Sequence, residues 1–228
     1  MKVAIHQPQY LPWLGFFDKM DRSDVFVLLD DVQYKKNEWQ NRNKIRNVEG
    51  WQWITVPVLH EFGQKISEVK IDNEKNWKDK HLKSLELNYS RAPYFEKHFS
   101  FFRESFSRKW GSLADLNVHF IRFLKNTLGI KTEILVSSAL GIKSEKTERL
   151  VEICMFLKAD TYLSGAGGTD YLDEGRFYQS GIELEFQGYF HPEYKQVFEG
   201  FYPYMSVVDL LFNHGDNSLN IIKEGRKQ

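Results

Sequence analysis

KVAIHQPQYLPWLGFFDKM (residues 2–20) and, shortly after it, VFVLLDD (residues 25–31) decide the fold of this chain. Lys2 to Ile5 is a short apolar run that reads as a strand. It stops at His6-Gln7-Pro8, because Pro8 has no N–H to give to a sheet ladder. After Pro12, the stretch Trp13-Leu14-Gly15-Phe16-Phe17 reads as the start of a short helix, which Ser23 and Asp24 break. Val25 to Leu29 is apolar, with β-branched and aromatic members, and reads as a buried strand. It runs straight into Asp30-Asp31. Two neighbouring strands ending in polar residues bring His6, Gln7, Asp30 and Asp31 towards one sheet edge. In parallel α/β sheets, ligands bind outside the carboxyl ends of the strands.

Outward from this opening, strand and helix patterns alternate. Trp51 to Val58 and Ile66 to Ile71 alternate apolar and polar residues and read as strands, separated by a polar loop at His60 to Gln64. Asn41-Arg42-Asn43 and Lys44-Ile45-Arg46 read as a connection leading to a turn at Asn47 to Gly50. Helices are expected over about Asn76 to Asn88, Tyr94 to Phe106 and Leu113 to Leu128. Asp72-Asn73 offers a cap for the first of these, and Ser112 and Gly129 bound the third. Thr132 to Ser137 reads as a strand running into Ser138, then Glu148 to Lys158 as a helix. Thr161 to Ser164 and Ile182 to Phe186 read as strands, and Ser206 to His214 as a helix. The polar tail from Asn217 to Gln228 is expected to fray. The whole predicts one α/β layered domain over residues 1–228. Its central sheet is mostly parallel, and a helical segment at about 76–128 lies within it.

Composition narrows the function. Lysine plus arginine and aspartate plus glutamate both number 31, so the net charge is zero. No general field then draws the chain to nucleic acid or to an anionic membrane. No apolar run approaches the roughly 18 residues of a bilayer span. Only four apolar residues precede His6, too few for a signal peptide. One cysteine, Cys154, excludes a disulfide framework. It sits mid-helix among apolar residues, the setting of an inert thiol. The seven histidines show no H-E-x-x-H or close pairing, so no metal site is expected. A cytoplasmic enzyme is the simplest reading. Aromatics make up 15% of the residues, and many sit beside polar ones, which suits a pocket for a flat or sugar-like ligand.

Candidate site residues follow from strand ends and loops. His6, at a strand end beside Gln7 and Tyr10, is a candidate base, since histidine titrates near neutrality. Asp30 and Asp31 are neighbours, so only one of them enters a given pocket. Its role would be to bind hydroxyls, orient His6 or hold an ammonium. Arg42, flanked by Asn43, offers a planar fork for phosphate or carboxylate. Ser144 to Arg149 opens a helix whose amides and Thr147 suit an anion. Ser164-Gly165-Ala166-Gly167-Gly168, with Tyr171 and Asp173 after it, permits close backbone approach to a ligand. It fits neither a P-loop nor a dinucleotide fingerprint. His191, in a polar loop with Tyr194 and Gln196, is a second candidate for acid–base work.

The opening HQPQYLPWLGFFDKM and LLDDVQYKKNEWQNRN resemble the WbqC-like proteins. So do SEKTERLVEIC, TYLSG, YLD and FHPEYKQVFEGFYPYMSVVDLLFNHG, and the segments occur in the family's order across nearly the whole chain. The resemblance strengthens Thr147, Arg149 and His191 as site residues. It implies a bacterial surface-polysaccharide (O-antigen) transferase that attaches an amino acid such as glycine to a nucleotide-linked amino sugar. No resident cofactor is implied; a phosphopantetheine thioester on a carrier protein is a candidate donor, which would make that carrier a partner. On this reading His6, His191 and Asp30 would do the chemistry. Gln7, Tyr10, Asp31, Arg42, Asn43, Ser138, Thr147, Arg149, Ser164, Gly165, Tyr171, Tyr194 and Gln196 would bind substrate. The strand–helix–strand start also resembles the HIGH-motif nucleotidyltransferases, though their second histidine, expected near Phe16 or Phe17, is missing. Nucleotidyl transfer or ligase chemistry is therefore a different enzyme class to weigh, and a noncatalytic module binding a sugar or a carrier protein is a third.

Overall fold

A computed structural model describes residues 1–226. Its centre is a five-stranded parallel sheet built from β1 (Lys2–His6), β2 (Val25–Leu28), β7 (Glu133–Val136), β8 (Thr161–Ser164) and β9 (Glu183–Phe186). The spatial order is β7-β2-β1-β8-β9. The chain starts in the middle, winds out through β2 and β7, then returns across β1 to β8 and β9. This winding is Rossmann-like, and it bears out the layered α/β domain with a mostly parallel sheet expected from the sequence.

The alternation of side chains along β1 and β2 creates two cores. Val3, Ile5, Val25 and Val27 face one way and pack with Leu150, Val151, Ile153 and Cys154 of α5 (Lys146–Phe156) and with Phe177 of α6 (Glu174–Gln179). Ala4, Phe26 and Leu28 face the other way and pack with Leu14, Phe16, Phe17 and Met20 of α1 (Leu14–Asp21) and with Val207 to Phe212 of α7 (Val207–His214). A sheet covered on both faces needs strands that are apolar throughout, which is why β1 and β2 read as continuous runs. The helix breakers Ser23 and Asp24 have partners: Ser23 Oγ donates to the Met20 carbonyl, and Lys2 N donates to Asp24 Oδ2 at 2.7 Å.

Residues 29–132 form an insertion between β2 and β7. It holds the antiparallel hairpin β3 (Arg42–Asn47) and β4 (Gly50–Thr55), the short pair β5 (Val58–Leu59) and β6 (Lys70–Ile71), and helices α2 (Trp77–Tyr89), α3 (Phe95–Ser107) and α4 (Leu113–Thr127). Ser112 caps α4, accepting from Asp115 N.

Four local expectations are corrected. The segment at Arg42–Asn47 is a strand, not a connection. The alternation at 66–71 resolves into a 3-10 turn (Ile66–Glu68) and the two-residue β6. Neither Asp72 nor Asn73 caps α2, which starts after Asn76. The tail folds through α8 (Ser218–Glu224), burying Ile221 and Ile222, and Arg226 ties it to α1 with bonds to Asp18 at 2.7 Å and Asp21 at 2.5 Å. The last two tail residues lie outside the described ones. No described helix is long and apolar enough to cross a membrane.

Candidate active site

A cleft of about 890 Å³ opens at the carboxyl edge of the parallel sheet. Its floor is where β1 and β8 part company, the point at which strand order reverses. Ile5, His6 and Gln7 come from the end of β1, Leu29 and Asp31 from the end of β2, and Ser164 and Gly165 from the end of β8. Gly167, Gly168 and Tyr171 follow from the glycine turn; the start of α5 contributes Lys146 and Arg149, and the inserted segment adds Lys35 and Lys65. Six cationic side chains (Lys19, Lys35, Lys65, Lys143, Lys146 and Arg149) line the cleft against two carboxylates, Asp31 and Glu145. A neutral chain thus concentrates positive charge in this cleft, the arrangement that draws in an anionic ligand.

The floor is held by backbone geometry and a few polar contacts. Gly168 N closes the glycine turn on the Gly165 carbonyl at 2.9 Å, and a Cβ at Gly168 would clash with Ser164 Oγ. Gln7 Oε1 accepts from Gln40 Nε2 at 2.7 Å, which fixes the end of β1 against the insertion. His6 is half-buried, its Nδ1 3.0 Å from the Gln7 carbonyl and its ring edge-on to Phe16. Burial, with Lys19 nearby as a lesser cause, pushes its pKa down to about 3. His6 is therefore neutral at physiological pH and a weak proton acceptor. Lys19 is buried in α1, donates to the Ile5 carbonyl at 2.9 Å, and is pushed down to about 7 by burial.

The expected site residues divide into two groups. His6, Gln7, Asp31, Arg149, Ser164, Gly165 and Tyr171 line the cleft. The others lie behind its walls or away from it. Asp30 is buried and accepts from Ser138 N at 2.9 Å and Ser138 Oγ at 2.8 Å, latching the end of β2 to the end of β7. Thr147 Oγ1 accepts from Asp173 N, tying the start of α5 to the start of α6 behind the cleft lining. Tyr10 is fully buried, donating to His81 Nδ1 at 2.9 Å. Asn43 Nδ2 donates to the carbonyls of Tyr10 and Leu11, holding a turn in which Leu11 takes φ 45°. Arg42 lies over the Trp53 ring, 4.1 Å from its centroid. Tyr194 and Gln196 both donate to Asp209, within a buried network that also includes Arg46 and Tyr89. His191 stacks on Trp13 with its Nδ1 2.8 Å from the Pro192 carbonyl, outside the cleft lining. Cys154 is buried in the core between the sheet and α5, with its thiol pushed up to about 12 by burial.

Sequence reasoning passed over Lys19 and the lysines at 35, 65, 143 and 146. For Lys19 a signal was present: a lysine inside an apolar stretch, in a helix whose residues Leu14 to Met20 are all buried. A lone lysine buried without a carboxylate is uncommon. The four rim lysines come from three separate segments and carry no local pattern. Among the described residues no group of three or more His, Cys, Asp and Glu side chains is placed to hold a metal ion.

The model of the WbqC-like protein family matches residues 7–221. Uncharacterized protein Rv1507c of Mycobacterium tuberculosis is 37% identical over 232 residues, covering 99% of this chain and 99% of that protein. No solved structure matches.

Proposed function

This chain belongs to the WbqC-like protein family, and we propose that it is a cytoplasmic transferase of bacterial surface-polysaccharide (O-antigen) synthesis. It attaches an amino acid such as glycine to the amino group of a nucleotide-linked amino sugar. The observation that carries this reading is the cation-rich cleft at the strand-order reversal.

A sugar nucleotide carries a diphosphate, and the cleft offers Lys143, Lys146 and Arg149 beside the start of α5, whose first-turn amides add a favourable dipole. Arg149 supplies a planar fork, and Gly165 and Gly167 let backbone approach the ligand closely. Gln7, Ser164 and Tyr171 provide hydrogen-bonding groups for sugar hydroxyls. His6, neutral by burial, adds a hydrogen-bond partner with no charge to repel an acceptor ammonium. The donor is an activated acyl group, with a phosphopantetheine thioester on a carrier protein the best-suited form, because the cleft holds no phosphate-loop motif for ATP.

The test mixes purified protein with a panel of nucleotide-linked amino sugars and an aminoacyl thioester. The expected result is a sugar product heavier by one aminoacyl group. Release of pyrophosphate from ATP, with no carrier present, would replace this reading with nucleotidyl or ligase chemistry. Sugar-nucleotide binding with no product from any donor would make the protein a binding module.

A further inference from the structure

Lys19 is a cation buried in the floor of the cleft. Its residue is 2% exposed, yet it lines the cavity. Its amine donates to the Ile5 carbonyl at 2.9 Å, and among the described residues no carboxylate forms an ion pair with it. A Cβ at Gly165 would lie 3.9 Å from its Nζ, which places the amine at the end of β8 as well as that of β1. One carbonyl is a poor return for burying an ammonium, since a single neutral acceptor does not offset the loss of water around the charge. The Phe26 ring, 5.8 Å from Nζ, adds only a weak attraction.

Resting on the transferase reading, we propose that the Lys19 amine is the acid–base group of this cleft, taking a proton from the acceptor nitrogen and returning it to the departing sulfur. The nitrogen lone pair of the amino sugar attacks the thioester carbonyl carbon, an N–C bond forms, and the carbonyl π electrons move to oxygen. Lys19 takes the surplus proton from that nitrogen. The tetrahedral intermediate collapses, the C–S bond breaks, and the proton on Lys19 passes to the leaving thiolate. The products are an amide and a free thiol; nothing is oxidised or reduced.

The surroundings favour Lys19 over His6 for this task. Burial brings its pKa to about 7, so both protonation states are populated at neutral pH, as a shuttle requires. His6 on β1 lies beside it and is kept neutral by burial; of the other titratable groups lining the cleft, Tyr162 and Tyr171 are both shifted upward and so neutral. Asp31 and Arg149, also in the lining, pair with each other at 3.2 Å. Asp18, its neighbour in α1, is engaged by Arg226 and Gln187.

Two measurements test this, and the first does not depend on the transferase reading. The intact protein is reductively methylated with ¹³C-formaldehyde, and its lysine methyl resonances are followed against pH, with Lys19→Arg used to assign the Lys19 signal. The expected midpoint for Lys19 is near 7, well separated from the surface lysines near 10.5. A midpoint above about 9 overturns the proposal whatever reaction the protein performs. The second compares Lys19→Met and Lys19→Arg with the parent in transfer from an aminoacyl thioester to a nucleotide-linked amino sugar. Both variants are expected to bind the sugar nucleotide within about fivefold of the parent. Both should lose turnover by about 10²–10⁴, along with the acidic limb of the rate profile. A folded Lys19→Met protein that keeps its turnover and its acidic limb overturns the proposal while leaving the transferase reading intact. A near-neutral Lys19 midpoint in a parent that makes no amide supports the shuttle group and removes the transferase reading instead.

Discussion

Arg149 grips Asp31 at two places: its Nη1 donates to the Asp31 carbonyl at 3.1 Å and lies 3.2 Å from Oδ1. The same Oδ1 accepts from the Ser137 hydroxyl at 2.5 Å. Three elements, the end of β2, the end of β7 and the start of α5, thus meet at one carboxylate on the cleft wall. The pair is about one-tenth exposed on each side, so it is little screened by solvent and depends on its geometry.

Arg149→Lys keeps the charge but loses the planar fork. We expect sugar-nucleotide affinity to drop by roughly 10- to 100-fold, with a stability loss of about 1–2 kcal/mol. Calorimetric titration and a denaturant midpoint measure the two separately. Unchanged affinity would reduce Arg149 to a part of the wall.

Asp30→Ala removes the acceptors of Ser138 N and Ser138 Oγ and one acceptor of Ser137 Oγ, undoing the latch, although Ser138 itself is exposed and its groups can turn to water. The expected loss is about 1–3 kcal/mol of stability. Turnover per folded molecule is expected to stay within a fewfold of the parent. A folded Asp30→Ala protein that has lost turnover by a hundredfold or more would show that Asp30 reaches the chemistry.

His81 accepts from the Tyr10 hydroxyl at Nδ1 and donates from Nε2 to the Thr55 carbonyl, so both ring nitrogens are engaged in the neutral form. Burial lowers its pKa to about 4. The unfolded chain, titrating near 6.5, therefore binds the proton first as pH falls. Stability is full above about 6.5 and is lost as pH falls towards 4, by roughly 3 kcal/mol at most from this residue. Chemical denaturation across pH 4–7 should show this slope, and His81→Gln should flatten it. A slope unaltered in a folded His81→Gln protein would assign the acid sensitivity elsewhere, with His6 the next group to test.

Cys154→Ala is expected to leave transfer activity intact and to cost about 1–3 kcal/mol of packing. With its thiol pushed up to about 12, the parent should resist iodoacetamide at pH 8 until it is unfolded. Rapid labelling of the native protein, or an inactive but folded Cys154→Ala, would point to a thioester on the enzyme.

How legible each element was in the sequence depended on whether its burial followed a local period. β1, β2 and β8 read correctly because strands covered on both faces must be apolar throughout. α3 read correctly as a helix because Phe95, Phe99, Phe102 and Phe106 recur at helical spacing and turn one face into the core. β3, with the sequence RNKIRN, has no such period. It is a strand because its pairing with β4 sets Arg42 over Trp53 and Lys44 over Trp51, 4.2 Å from the ring centroid. Cross-strand contacts of that kind are invisible along one segment. α8 was hidden for a related reason: its polar composition is anchored by Arg226 reaching Asp18 and Asp21, two hundred residues away in the chain.

By itself the sequence determined the layered α/β fold and the sheet edge at which His6, Gln7 and Asp31 gather, because strand ends and apolar runs are properties of local order. Only the tertiary structure decided which polar residues share the cleft. Asp30 and Asp31 are adjacent and chemically alike, yet one serves Ser138 as a latch and the other meets Arg149 on the wall. Tyr194 and Gln196 turn to Asp209, and Asn43 to the carbonyls of Tyr10 and Leu11. Lys19 enters the floor from a helix that otherwise reads as core. A polar side chain's role follows from the partner that meets it after burial, and those partners are brought together only when distant parts of the chain pack.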